Sequence, residues 1–152
     1  MDKQADVMAI LKLYELRRDE RMRQARAWYF SEFAPTSAMD IIKLYRDGEQ
    51  ASANFRMVTS FWDMAASFVL NGAMDEKMFQ GSTTEHVFVY TKIQPFLAEI
   101  RQIFSEPEYL SHLEELVMKT PNIETKIENR KRLFALWTKE DKESSANESS
   151  RI

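Results

Sequence analysis

The sequence predicts an all-α fold, a six- to seven-helix bundle with a long amino-terminal helix and a disordered carboxy-terminal tail. Three observations carry that prediction. Only three glycines occur in 152 residues, too few turn formers for many short strands. Apolar residues recur at helical spacing, and Pro, Asn-Gly and Ser/Asp signals fall where helices should stop and start. A chain of this length buries roughly two-thirds of its unfolded surface, so one core suffices, and residues 1–142 read as a single helical domain followed by a tail at 143–152.

The first predicted helix runs from Lys3 to Phe33 and stops at Ala34-Pro35. As one rod it would measure about 45 Å, longer than the globule's diameter of about 38 Å, so it should protrude, bend or meet another copy. Ser37 and Asp40 are spaced as a capping box for a short second helix that Gly48 ends. From Ser52 to Asn71, Phe55, Val58, Phe61, Trp62, Ala65, Ala66, Phe68 and Val69 fill one arc of a third, central helix. Asn71-Gly72 stops it, Asp75 caps a brief helix through Phe79, and Ser82 to Glu85 has the spacing of a further capping box.

The stretch HVFVYT is β-branched and aromatic enough for a strand, but nothing in the sequence offers it a partner. It therefore belongs to a helix over Thr84 to Phe104, with Ile93, Phe96, Leu97, Ile100 and Phe104 facing inward. Pro95 cannot donate to Thr91, which predicts a kink there. Ser105, Pro107 and Glu108 open a helix through Lys119, and Asn122 opens the last one, through Lys139. The closing KEDKESSANESSRI is too charged and Ser-rich to bury itself and reads as the tail.

The strings FWDMAASFVLNGAMDEKMF and HVFVYTKIQPFLAEIR resemble a family of short bacterial helical proteins known as a domain of unknown function. The resemblance spans about residues 50–120. Phe61, Trp62 and Asp63, the Asn71-Gly72 turn leading to Asp75, and Pro95 to Arg101 carry it. It implies the helical fold and no catalytic residue. Related sequences carry a membrane-spanning amino-terminal helix. Glu15, Arg17, Arg18, Asp19 and Glu20 interrupt the equivalent helix here, so no membrane attachment is expected.

Composition narrows function mostly by exclusion. A net charge of -3 gives no global field toward nucleic acid or anionic lipid, and the absence of cysteine removes disulfides, thiolate metal sites and thiol nucleophiles. The amino terminus has no signal-peptide layout, which makes a cytoplasmic location the expectation. His86 and His112 lack the Glu-x-x-His spacing of a di-metal bundle, and no phosphate loop or nucleophile elbow occurs, so no metal, cofactor or catalytic residue is assigned. Asp63, Asp75 and Glu99 remain possible acids without a motif, with a surface or ion-paired role preferred for Asp63, opposite Arg56 or Arg101. Asn54, inside the apolar arc, reads as capping a neighbouring helix or satisfying buried backbone.

Three candidate surfaces remain. Val7, Met8, Ile10, Leu11, Leu13, Tyr14 and Leu16 surround most of the first helix, more apolar circumference than one bundle face covers, and this predicts a homodimer interface. Arg17, Arg18 and Arg21 share a face that suits an anion or a partner, although Glu15, Asp19 and Glu20 lie at pairing distance. Trp62, Tyr90, Thr91 and Pro95 mark a pocket at the kink. Arg130, between Ile127 and Phe134, reads as a stem on the core edge with its head in water. The favoured expectation is a non-enzymatic, oligomeric interaction protein with an unidentified protein partner. The alternative is a small-molecule binder or enzyme with its pocket near Pro95. Weak nucleic-acid binding by the helix-one arginines ranks third.

Overall fold

A computed structural model describes the backbone of residues 2–150 and their side chains outside 138–145. Asp2 begins the first helix, α1 (Lys3–Arg17), by accepting the Gln4 and Ala5 amides at 3.0 and 3.4 Å. The expected rod then breaks. Asp19, with extended backbone at φ -52° and ψ 137°, accepts the Met22 amide at 3.1 Å and starts a separate helix, α2 (Glu20–Ser31). In the run Arg17-Arg18-Asp19-Glu20 the acid that looks like one more surface charge is an N-cap, whose carboxylate satisfies an otherwise orphaned amide.

Ser37 starts α3 (Ala38–Asp47) by accepting the Asp40 amide at 3.1 Å. Asp40 returns the contact one residue earlier than a capping box requires, to the amide and hydroxyl of Thr36. The central helix, α4 (Gln50–Leu70), contains neither Gly nor Pro. It ends in a Schellman motif: the Ala73 amide reaches the Phe68 carbonyl, the Gly72 amide reaches Val69, and Gly72 takes φ 80°.

Asp75 caps α5 (Glu76–Ser82) through the Met78 amide at 2.8 Å. The capping box expected at Ser82 and Glu85 does not form. Ser82 bonds back to the Phe79 carbonyl, and α6 (Glu85–Ile93) begins after Thr84. HVFVYT is helical, as its lack of a strand partner requires. The kink at Pro95 takes the form of a 3₁₀ turn over Gln94–Phe96, followed by α7 (Leu97–Phe104). The next helix starts later than Ser105, because Ser105 adopts left-handed backbone at φ 54° to close α7, and residues 106–110 form turns before α8 (Ser111–Met118). The last helix, α9 (Ile123–Ser149), carries helical backbone into the stretch assigned to the tail. Residues 151 and 152 lie outside the described residues.

Helix α4 is the hub, packed by α2, α3, α6 and α8. Phe55, Val58, Trp62, Ala65, Ala66 and Val69 bury the predicted arc, whereas Phe68 at its edge is exposed. Each fully buried large side chain contributes about 1.5–3 kcal/mol of transfer free energy, so this arc dominates the stability of the bundle. Phe55, Phe33 and Tyr29 form a chain of ring contacts at 5.4 and 4.9 Å that joins α4 to the end of α2. No helix among the described residues is long and apolar enough to cross a membrane.

Candidate functional site

The carboxy-terminal end of α2 should expose unpaired carbonyls, since no glycine cap follows it. Lys92 of α6 fills that role from sixty residues away. Its ammonium donates to the carbonyls of Tyr29 at 2.7 Å, Phe33 at 2.8 Å and Phe30 at 3.3 Å. Tyr29 answers by donating its hydroxyl to the Val89 carbonyl at 2.6 Å. Burial pulls Lys92 down from the usual lysine range to about 8. The three carbonyls, and the Phe134 ring 4.7 Å from the ammonium, favour the charged form and oppose that pull.

Around this lysine lies a groove of about 590 Å³, within the range of small-molecule sites. Phe30, Phe33, Phe96, Phe134 and Trp137 supply its aromatic walls, Thr91 and Pro95 its kinked side, and Lys131, paired with Glu128 at 3.5 Å, a second cation. Among the described residues no acidic side chain lines it. The groove can take an apolar body, and at its edge the Thr36 hydroxyl donates to the Asp40 carboxylate at 2.9 Å.

Of the four residues expected at a pocket, Thr91 and Pro95 line this groove and the other two do not. Trp62 is buried elsewhere, donating Nε1 to Glu85 at 3.0 Å, and Tyr90 donates its hydroxyl to Glu114 at 3.0 Å. Thr91 is buried with its hydroxyl on the Val87 carbonyl, so its contribution to the wall is apolar. Sequence reasoning missed Lys92, for which the only signal was a cation after an apolar helical stretch.

The predicted arginine strip is divided among different tasks. Arg17 pairs with Glu85 at 3.3 Å and lies 5.2 Å over the rings of both Tyr14 and Trp62. Arg21 donates to Asn54 Oδ1 at 2.7 Å, which explains a polar residue within the apolar arc of α4. Arg18 ends α1 at the surface. The main partner of Glu85 is Arg26, which donates from both Nε and Nη2, the latter at 2.6 Å. Three side chains, from α1, α2 and α4, thus meet at one part-buried carboxylate of α6.

Asp63 is also structural. It accepts the Leu113 amide at 3.0 Å and faces His112 Nδ1 at 3.2 Å, rather than Arg56 or Arg101. Arg101 instead holds Glu114 at 3.0 Å and the Tyr109 carbonyl at 2.8 Å. No group of three or more His, Asp or Glu side chains able to hold a metal ion occurs among the described residues.

The apolar residues of α1 divide by face. Leu13 is buried and Ile10 half-buried, on the side that meets α2 and α5, and Val7, Met8, Leu11, Tyr14 and Leu16 are exposed. Met8, Leu11 and Tyr14 retain 65%, 55% and 54% of their accessible surface.

A family model described as domain of unknown function DUF4760 matches residues 4–120. The chain belongs to that family. No curated protein and no solved structure matches it. The DUF4760 match contains Lys92, the Glu85 cluster and the Pro95 turn, and it stops before α9. Lys131, Phe134 and Trp137, one wall of the groove, therefore lie outside the matched region of this DUF4760 protein.

Proposed function

We propose that this DUF4760 protein is a non-enzymatic binding protein whose site is the aromatic groove at Lys92, and that its ligand is a small apolar molecule carrying one anionic group. The observation that carries this reading is the groove itself: five aromatic side chains and two lysines around about 590 Å³, with no acid among the described residues of the lining. Apolar walls supply the affinity, and the positive rim selects the sign of the charged end. Decanoate and decanol, titrated against the full chain and followed by Trp fluorescence and thermal unfolding, test it. Saturable binding of decanoate that weakens in Phe96→Ala and exceeds that of decanol is expected, and equal or absent binding of both rejects the reading.

Self-association through α1 is the second reading, supported by the exposed row Val7, Met8, Leu11 and Tyr14. The break at Asp19 removes the argument from rod length, leaving the exposed surface as its basis. Stable interfaces engage about 20–30 residues a side, more than one face of a 15-residue helix provides, so association by α1 alone would be weak. Light scattering decides it: a 17.9 kDa monomer at high micromolar concentration rejects the dimer, and a dimer abolished by Leu11→Glu supports it. Nucleic-acid binding through Arg17 and Arg21 has less support, because both guanidinium groups have protein partners.

A further inference from the structure

A separate concavity of about 600 Å³ lies where α5 and the start of α6 face the connection between α8 and α9. Lys77, Lys119, Lys126 and Arg130 all line it, and none of the four forms an ion pair among the described residues. By contrast, Arg17 and Arg26 are matched by Glu85, and Arg101 by Glu114. Four cations without ion pairs around one cleft, in a protein of net charge -3, leave a local positive excess. The acids of the lining, Asp75 and Glu76, offset half of it, and Asp75 is already engaged with the Met78 amide.

Arg130 is the best-positioned of the four. Its guanidinium lies 4.5 Å over the Phe88 ring, which holds the plane fixed, and its Nη1 reaches the Lys126 carbonyl at 3.3 Å. Its Nε is buried without a hydrogen-bond partner. Lys126 precedes it by one helical turn, so both cations rise from the same face of α9. The uncharged side of the cleft is also set for donation. Gln80 accepts from His86 Nε2 at 3.0 Å, which turns its amide nitrogen toward the Thr120 hydroxyl at 3.5 Å, and Thr84 makes no side-chain cap to α6.

We propose that this cleft binds a small phosphorylated molecule, with Arg130 and Lys126 taking the phosphoryl oxygens and the Thr84 and Thr120 hydroxyls completing their coordination. A phosphoryl dianion matches the excess of two positive charges, and a guanidinium held flat presents paired donors to two of its oxygens. The cleft has room for the body of a sugar phosphate or a mononucleotide beside that group.

The test is an amide-resolved NMR titration of the full chain with inorganic phosphate, a sugar monophosphate, a nucleoside monophosphate and a short single-stranded oligonucleotide, against chloride at matched ionic strength. Saturable shifts at Gln80, Thr84, Thr120 and Arg130, with one phosphomonoester binding about tenfold more tightly than inorganic phosphate, are expected. Lys126→Gln should weaken that binding about tenfold, and Lys43→Gln on α3 should leave it unchanged. Lys126 is half-exposed, so its variant reads the site even where Arg130→Gln perturbs the packing on Phe88. Shifts that track ionic strength without saturating, binding indifferent to Lys126→Gln, or binding confined to the oligonucleotide would each overturn the proposal.

Discussion

Asp63, at the middle of α4, accepts the amide of Leu113 at 3.0 Å and so caps a helix fifty residues further along the chain. The residue before α8, Leu110, cannot do this: it is apolar and held in left-handed backbone at φ 55°. The cap is supplied by the neighbouring helix, which ties helix formation in α8 to docking on α4. Asp63→Ala should cost about 1–2 kcal/mol in urea unfolding, and Asp63→Asn, which preserves an acceptor oxygen, should cost less.

Glu85 presents a larger effect. Its side chain is 13% exposed and holds Arg26, Arg17 and the Trp62 indole at once. Glu85→Ala strands two guanidinium groups of low exposure and an indole N–H, and should destabilise the protein by about 3 kcal/mol or more. The exposed pair Arg46–Asp47 is the control, since Asp47→Ala should leave the urea midpoint nearly unchanged. Equal effects in the two variants would show that the Glu85 cluster contributes nothing beyond an ordinary surface pair.

His86 sets an acid limit. Burial first, and Arg130 second, lower its pKa from 6.5 to about 4. The unfolded chain therefore binds the additional proton between those values, and the stability owed to a neutral His86 is fully present above pH 6.5 and is lost as pH falls toward 4. The full effect is on the order of 3 kcal/mol. His86→Phe, placed between the rings of Trp62 and Phe79, should flatten the slope of stability against pH in that window. An unchanged slope would assign acid sensitivity to other groups.

Lys92→Met tests the tie at the end of α2. Removing the ammonium leaves the Tyr29 and Phe33 carbonyls without their donor and should cost about 1–3 kcal/mol at neutral pH. With Lys92 lowered to about 8, the unfolded chain binds more protons between there and 10.5, so this group makes stability rise with pH across that interval. The variant should lack that rise in denaturant titrations at pH 8 and pH 10.

What the sequence reveals and what it conceals follow from interaction range. Helix α4 is legible because its periodicity fills a single arc, and the turn at Pro95 because a missing N–H is a local fact. Asp19 is local too, yet illegible: within Arg17-Arg18-Asp19-Glu20 a capping acid and a surface acid look alike until the backbone leaves the helical region. Glu85 and Lys92 belong to a third kind. Their spacing to Ser82 or to helix neighbours suggests ordinary local roles, whereas their partners on α1 and α2 lie 59 to 68 residues away and no periodicity points there. The sequence reading sets Trp62 and Tyr90 opposite the carbonyl freed at the kink, and packing sends each to a different carboxylate.

The lysine that closes α2 has a bearing on the order in which the chain assembles. A helix ended by its own glycine can complete its last turn as soon as it nucleates. Here the last carbonyls must wait for α6, so the turn through Tyr29 to Phe33 gains its final bonds only after a loop of about sixty residues has closed. A peptide spanning 19–36 should accordingly fray at its carboxy end in isolation. In refolding, the amides of that corner should acquire exchange protection together with those of α6, later than the amides at the start of α2.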